Sequence, residues 1–177
     1  GDYLEARKLI EEGLLYAQAT NDSWFTAYGI YNLGHVDSLM GEYQKGYKQM
    51  QEGMALWRTL GDPHSISLGL NFLVETQIKL GLCEEAITAM QESIALCERT
   101  KNRWGMGTAY RYLGLATLAN GQYVEAQGYF QKSLEIFGEY FKGWDIARTL
   151  TYMGEALFKM GDTKEAEKTY LTALRLA

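Results

Sequence analysis

Apolar and polar positions follow the period of an α-helix along this chain, in paired segments separated by short turns. In the segment 84–100, Ile87, Met90 and Ile94 form one apolar stripe, with the spacing that a helix buries against a neighbour. The segment that follows carries a comparable stripe. Paired amphipathic segments of this kind predict helix pairs and an all-α fold.

A glycine marks the turn between segments at a fixed step of 40 residues, at Gly1, Gly41, Gly81, Gly121 and Gly161. An unbroken period of this length is typical of stacked repeats, in which each unit buries its apolar face on its neighbours. The pattern predicts one solenoid of about nine helices, with a half repeat at 1–20 and repeats at 22–60, 62–100, 103–140 and 143–177. Because the chain begins at a turn glycine and ends on a second helix, we expect a fragment of a longer protein.

The residues around these turns resemble the tetratricopeptide repeat (TPR) family. One unit matches the family pattern at Tyr110, Leu113, Gly114, Gly121, Tyr123, Ala126, Phe130 and Ser133, and the next at Leu150, Met153, Gly154, Gly161, Ala166, Tyr170 and Ala173. The sequence departs from this pattern at four positions: Val74 replaces glycine, Gly46 replaces alanine, and Cys83 and Thr163 replace the turn tyrosine. We expect these departures to loosen individual contacts. The resemblance implies an α-α superhelix of antiparallel helix pairs with a concave groove.

The 40-residue repeat is longer than the familiar one and resembles the C-terminal arrays of bacterial STAND-type ATPases and LuxR-type regulators. The junction 102–106, Asn-Arg-Trp-Gly-Met, is similar to one found in those arrays. That narrower resemblance implies a bacterial signalling or transcription-regulating protein.

Composition excludes several other classes. The formal net charge of −5 argues against nucleic acid as a partner of this segment. No apolar run is long enough to cross a membrane, and no signal peptide is visible. Cys83 and Cys97 lie about 21 Å apart on one predicted helix, so they cannot pair with each other. Unpaired packing thiols are typical of a reducing compartment, and we expect a cytoplasmic protein.

Catalytic and cofactor motifs are missing from the sequence. The segment 41–48 has the glycine spacing of a phosphate loop but lacks its Gly-Lys-Ser/Thr ending. His35 and His64 have no cysteine or carboxylate at metal-ligand spacing. We therefore predict no enzyme activity, no catalytic residues, no metal and no cofactor.

One face of each first helix carries the informative side chains. Trp24, Trp104 and Trp144 stand in register at the 40-residue step, with His64 in the fourth place. Projection at about 100° per residue places one stripe on the face that lines the concave groove in the family. The predicted ligand contacts are Trp24, Tyr28, Tyr31, Asn32, His35, His64, Asn71, Phe72, Glu75, Trp104, Arg111, Tyr112, Trp144, Arg148, Tyr152 and Glu155. Such residue types are enriched where binding energy concentrates.

A structural interpretation competes with this one. Each tryptophan begins a helix just after a turn, where its ring can stiffen the junction between helices. Arg111 or Arg148 can pair with Glu155 along the face, although exposed pairs are worth only about 0–1 kcal/mol. The large side chains of the second helices favour the core rather than a site: Tyr47, Met50, Met54, Trp57, Phe130 and Phe137.

The function that these patterns favour is a non-catalytic scaffold that binds a protein or peptide segment in the concave groove. The alternative is a sensor for a small effector such as an oligosaccharide, in a regulator of the STAND or LuxR type. End-to-end self-association through the exposed ends of the solenoid is a third interpretation.

Overall fold

The computed structural model describes residues 2–140 and 143–176, the side chains of residues 139 and 140 excepted. These residues form nine α-helices and no strand: Tyr3–Ala19 (α1), Ser23–Leu39 (α2), Tyr43–Leu60 (α3), Pro63–Lys79 (α4), Cys83–Arg99 (α5), Arg103–Ala119 (α6), Tyr123–Tyr140 (α7), Trp144–Lys159 (α8) and Thr163–Leu176 (α9). The prediction of an all-α fold is confirmed. The first helices of the repeats are α2, α4, α6 and α8, and the second helices are α1, α3, α5, α7 and α9.

The turns between helices owe their regularity to glycine and to carboxylate caps. Gly41, Gly81, Gly121 and Gly161 all have positive φ, between 76° and 91°, a conformation that side chains other than glycine disfavour. The fifth glycine of the series, Gly1, lies outside the described residues. Asp62 accepts hydrogen bonds from the amides of His64 and Ser65, and Pro63 follows it at the first helical position.

Cα packing divides the chain into two compact units, Gly1–Leu82 and Cys83–Ala177. The first unit contains α1 to α4 and the second contains α5 to α9. The single-solenoid domain, with its repeat boundaries, stays a prediction.

In the first unit, α2 and α3 approach each other at Gly34 and Gly46. A Cβ on Gly34 would lie 2.5 Å from the Gly46 carbonyl oxygen, and one on Gly46 would lie 2.4 Å from the Gly34 carbonyl oxygen. Gly46 therefore permits a close approach of the two backbones, and the expectation that it loosens the contact is wrong. Met50, Met54 and Trp57 of α3 are buried beside this contact.

In the second unit, glycines of the first helices face aromatic rings of the second helices. Gly114 packs on Phe130, Gly107 on Phe137 and Gly154 on Tyr170, each at a distance that a Cβ would violate. Phe130 and Phe137 are fully buried. The large second-helix side chains are therefore core residues as predicted, apart from Tyr47, which is half-buried.

Candidate functional site

The predicted ligand contacts separate into a buried set and an accessible set. Four are buried, with 1–3% of their surface exposed: Tyr31, Asn71, Arg111 and Tyr112. The other twelve are exposed or half-exposed. Each first helix also packs against the next first helix of its unit, which the one-helix projection ignored. The buried four therefore support the surface, and ligand contact by the accessible twelve stays a prediction.

Tyr31 and Arg111 occupy equivalent repeat positions and make equivalent links. The Tyr31 hydroxyl donates to the carbonyl of Gly69 in α4 at 2.5 Å. The Arg111 guanidinium donates to the Asp145 carboxylate in α8 at 2.9 Å. Arg111 thus pairs with Asp145, an aspartate that the sequence analysis did not consider. In each unit, the residue at this repeat position links one first helix to the next.

The tryptophans use the same kind of partner. Trp24 Nε1 donates to Asp62 Oδ2 at 2.9 Å, and Trp104 Nε1 donates to Asp145 Oδ2 at 3.1 Å. Each of these aspartates lies at the start of the next first helix. Both contacts favour the junction role for Trp24 and Trp104.

Hydrogen bonding outweighs burial at Asp62. Partial burial by itself would raise the pKa of this carboxyl group. Donation by the Ser65 hydroxyl, the Trp24 indole and the Ser65 and His64 amides stabilises the charged form more strongly, so that the pKa lies below its ordinary value. Asp62 is therefore an anionic anchor that holds Trp24 in place.

Arg148 lies among aromatic rings on the face of α6 and α8. Its guanidinium carbon is 5.3 Å from the centre of the Trp144 ring, 5.7 Å from that of Tyr112 and 6.0 Å from that of Tyr152. These distances are those of cation–π contacts. The structure thus brings together four predicted residues, of which Trp144 is 63% exposed.

A second cluster of predicted residues lines a cleft of about 150 Å³ between α2 and α4. The rings of His35 and Phe72 lie 5.6 Å apart, centre to centre, and Glu75 shares the cleft. Burial lowers the pKa of His35, and the nearby Glu75 carboxylate opposes that shift in part. Sequence reasoning missed the other two large polar side chains of this α2–α4 cleft, Tyr43 and Lys79: Tyr43 lies on a second helix, and the projected stripe ended at Glu75, one turn before Lys79.

The remaining predicted residues lie apart from these two clusters. Tyr28 stacks on Trp24 with the ring centres 5.5 Å apart, and the Asn32 amide donates to the Tyr28 carbonyl. His64 is exposed at the start of α4. Glu155 is exposed near Tyr170, whose pKa is raised by burial first and by that carboxylate second.

Sequence reasoning also missed a buried carboxylate in the first unit. Asp37 is fully buried in α2 and pairs with Arg7 of α1 at 2.8 Å and with Lys45 of α3 at 3.0 Å. It links three helices. Nothing in its sequence neighbourhood signals burial, because its partners are 30 and 8 residues away along the chain.

Larger pockets lie at the α1–α2 and α8–α9 pairs. The α1–α2 pocket has a volume of about 510 Å³ and a mainly apolar lining that includes Ile10, Leu14 and Phe25. The α8–α9 pocket has about 500 Å³. Among the described residues no group of three or more metal-ligating side chains occurs. No described helix is long and apolar enough to span a bilayer, and Cys83 and Cys97 are free thiols.

The tetratricopeptide repeat profile matches residues 66–138 and 105–177 of this sequence. The chain belongs to the TPR family. This family is in general a non-catalytic scaffold fold. No curated protein sequence matches the chain.

Several solved structures share the fold. The Rap protein complexed with Competence and Sporulation Factor has a TM-score of 0.87 at 15% identity, over 99% of this chain and 49% of that one. BtubC (BKLC) from P. vanneervenii has a TM-score of 0.81 at 20% identity, over 99% and 73%. A Podosopora anserina protein described as a kinesin light chain with nearly identical TPR-like repeats has 0.74 at 17%, over 99% and 87%. At these identities the likeness shows the fold alone, and it confirms the TPR-like superhelix class.

Proposed function

We propose that this TPR chain is a non-catalytic scaffold that binds a peptide segment of another protein on the accessible face of its first helices. The observation that carries this proposal is the α2–α4 cleft. Three predicted contacts, His35, Phe72 and Glu75, line one cavity there, although the first lies in a different helix from the other two.

The size and chemistry of the cleft suit a peptide side chain. At about 150 Å³ it is smaller than the roughly 300–1,000 Å³ typical of sites for small-molecule ligands. The rings of His35 and Phe72 offer an apolar floor. Glu75 and Lys79 lie one helical turn apart beside these rings. Their opposite charges can orient the polar groups on either side of an apolar anchor residue in a bound peptide. A peptide with one apolar anchor residue between charged neighbours is the partner that fits.

A displayed peptide library selected on the whole chain tests the proposal. We expect selected peptides to lose affinity by about tenfold or more on Phe72→Ala, as for a buried aromatic anchor. Phe158→Ala is the matched control, because Phe158 is 57% exposed and lies outside the predicted face. Peptides that bind the Phe72→Ala chain with undiminished affinity would contradict the use of this cleft, and a library without binders would contradict the function.

The alternative function, response to a small effector, is supported by the α1–α2 pocket. Its volume of about 510 Å³ falls within the range of small-molecule sites. A Cβ on Gly13 would meet no atom within 4 Å, and Gly13 lines the pocket, so we expect the side chain of Gly13→Leu to occupy part of it. An effector seated there raises the Tm of the native chain and leaves that of Gly13→Leu unchanged. Gly128→Leu is the control, because Gly128 is equally open and does not line the pocket.

A further inference from the structure

The base of the α2–α4 cleft carries two buried hydroxyl groups. Ser38 is 6% exposed and Thr76 is 3% exposed, and both line the cleft. Each hydroxyl donates to the sulfur of Met50, from Ser38 at 4.0 Å and from Thr76 at 3.8 Å. A thioether is a weak acceptor, and each hydroxyl oxygen also has lone pairs that can accept. A stronger hydrogen-bonding group that enters the cleft can therefore pair with both.

Thr76 differs in this respect from buried threonines of the second unit. Thr117, which is 1% exposed, donates to the Leu113 carbonyl one turn earlier at 2.8 Å. Thr149 donates to the Asp145 carbonyl in the same way. Such a bond to the threonine's own helix is common. The Thr76 hydroxyl points instead to a neighbouring helix, at the place where the cleft opens.

The fold itself does not need polar groups at this place. Two repeats later, Leu118 has the position of Ser38, Phe130 that of Met50, and Ala156 that of Thr76. These three residues belong to one buried apolar cluster in the second unit. Burying a hydroxyl with a poor partner costs stability, so the two hydroxyls of the first unit indicate a ligand that pairs with them.

The rings above the base select the kind of ligand group. His35 and Phe72, whose ring centres lie 5.6 Å apart, offer a surface on which another ring packs well. A charged group would have to give up its hydration against them. A phenol hydroxyl is neutral and both donates and accepts, so it pairs with the Ser38 and Thr76 hydroxyls whichever way these are turned.

We infer that the α2–α4 cleft binds a tyrosine side chain of the peptide segment, with its ring against His35 and Phe72 and its phenol oxygen hydrogen-bonded to Ser38 and Thr76. The ring is the apolar part of this anchor and the hydroxyl is its polar tip. This inference rests on the proposed scaffold function and names the anchor residue of the partner. Ser38 and Thr76 then determine specificity, because they distinguish tyrosine from phenylalanine.

The peptides selected from the displayed library on the whole chain supply the probe. We expect a tyrosine at the peptide position where alanine costs most affinity. A fluorescein-labelled peptide of this kind, and the same peptide with phenylalanine at that position, are titrated against the native chain and followed by anisotropy. The phenylalanine peptide should bind more weakly by about three- to tenfold, the range for one net hydrogen bond.

Variants of the cleft base test whether the two hydroxyls cause this preference. Thr76→Val keeps the branched shape and removes the hydroxyl, so it should lower the ratio of the two affinities, and adding Ser38→Ala should bring the ratio to about one. Because the ratio compares two peptides on one protein, a change in the stability of the chain cancels. Thr117→Val is the matched control, since Thr117 is equally buried and does not line the cleft, and it leaves the ratio unchanged.

Three results would overturn the inference: a selected anchor other than tyrosine, equal affinity of the two peptides for the native chain, or an unchanged ratio in the Ser38→Ala, Thr76→Val chain. If the selected peptides still lose affinity on Phe72→Ala, the scaffold function stands and only the choice of anchor is wrong. If the library yields no binders, the scaffold function and the inference both fail.

Discussion

The two compact units make the same link between first helices with different chemistry. In the first unit, Tyr31 donates a neutral hydrogen bond to a backbone carbonyl of α4. In the second unit, Arg111, only 2% exposed, forms an ion pair with Asp145 of α8. The side chain at this repeat position contacts the next first helix in both units. Whether it is a tyrosine or an arginine decides how much stability is lost when its partner is removed.

The difference matters because removing the partner of a buried charge costs more stability than removing the partner of a buried hydroxyl. A hydroxyl without its acceptor loses a modest net energy. A guanidinium without its carboxylate stays desolvated against the Phe137 ring, 5.4 Å from its carbon. The long hydrogen bond of 3.4 Å to the Asp145 backbone carbonyl does not replace the lost negative charge. We therefore expect the second unit to be the more sensitive of the two to removal of one partner.

The largest effect is expected for Asp145→Ala. Loss of one partner of a buried ion pair costs about 3–5 kcal/mol, and here the Trp104 indole loses its acceptor too. Chemical denaturation followed by circular dichroism measures the free energy of unfolding. Replacing both charges, with Arg111→Met and Asp145→Ala together, should destabilise the chain less than Asp145→Ala alone, because no uncompensated charge remains. A double variant less stable than the single one would contradict this account.

A smaller effect is expected for Tyr31→Phe. The ring still packs on Trp57, with ring centres 5.0 Å apart, and only the hydrogen bond to Gly69 is lost. Removing one such bond costs about 1 kcal/mol. The same denaturation measurement applies, with Tyr16→Phe as the control because Tyr16 is 73% exposed. A loss as large as that of Asp145→Ala would show that the two links do not differ as proposed.

The smallest effect concerns pH. His35 in the first unit has Leu115 at its repeat position in the second. Because burial lowers the pKa of His35 in the folded state, the unfolded chain takes up the proton first as pH falls below about 6.5. Stability is fully present above that pH and is lost as pH falls through the lower, folded pKa.

Thermal unfolding at pH values from 8 to 5 measures this contribution. His35→Leu, which gives the first unit the residue of the second, should flatten the dependence of Tm on pH in that window. Glu75 and Lys79, the charged residues that share the cleft with His35, are unchanged in this variant. Their contribution to the pH dependence of Tm therefore remains as an internal reference. An unchanged pH profile in His35→Leu would show that another group is responsible.

How far the site was predictable varies by residue. The projection found His35, Phe72 and Glu75, which do share a cleft, because they lie on the accessible edge of two neighbouring helices. It placed Tyr31 and Arg111 on the same surface, although both are buried. A projection of one helix has no information on how close the next first helix lies, and that distance decides exposure.

The sequence by itself determined the helical class, the 40-residue period and the turns. These depend on local properties: apolar spacing, the conformational freedom of glycine and the capping ability of aspartate. Only the tertiary structure decided which carboxylates act as anchors. No sequence signal shows that Asp37 is buried between two cations, or that Asp62 and Asp145 each receive a tryptophan indole. Their partners are brought together by packing between helices, which no local pattern encodes.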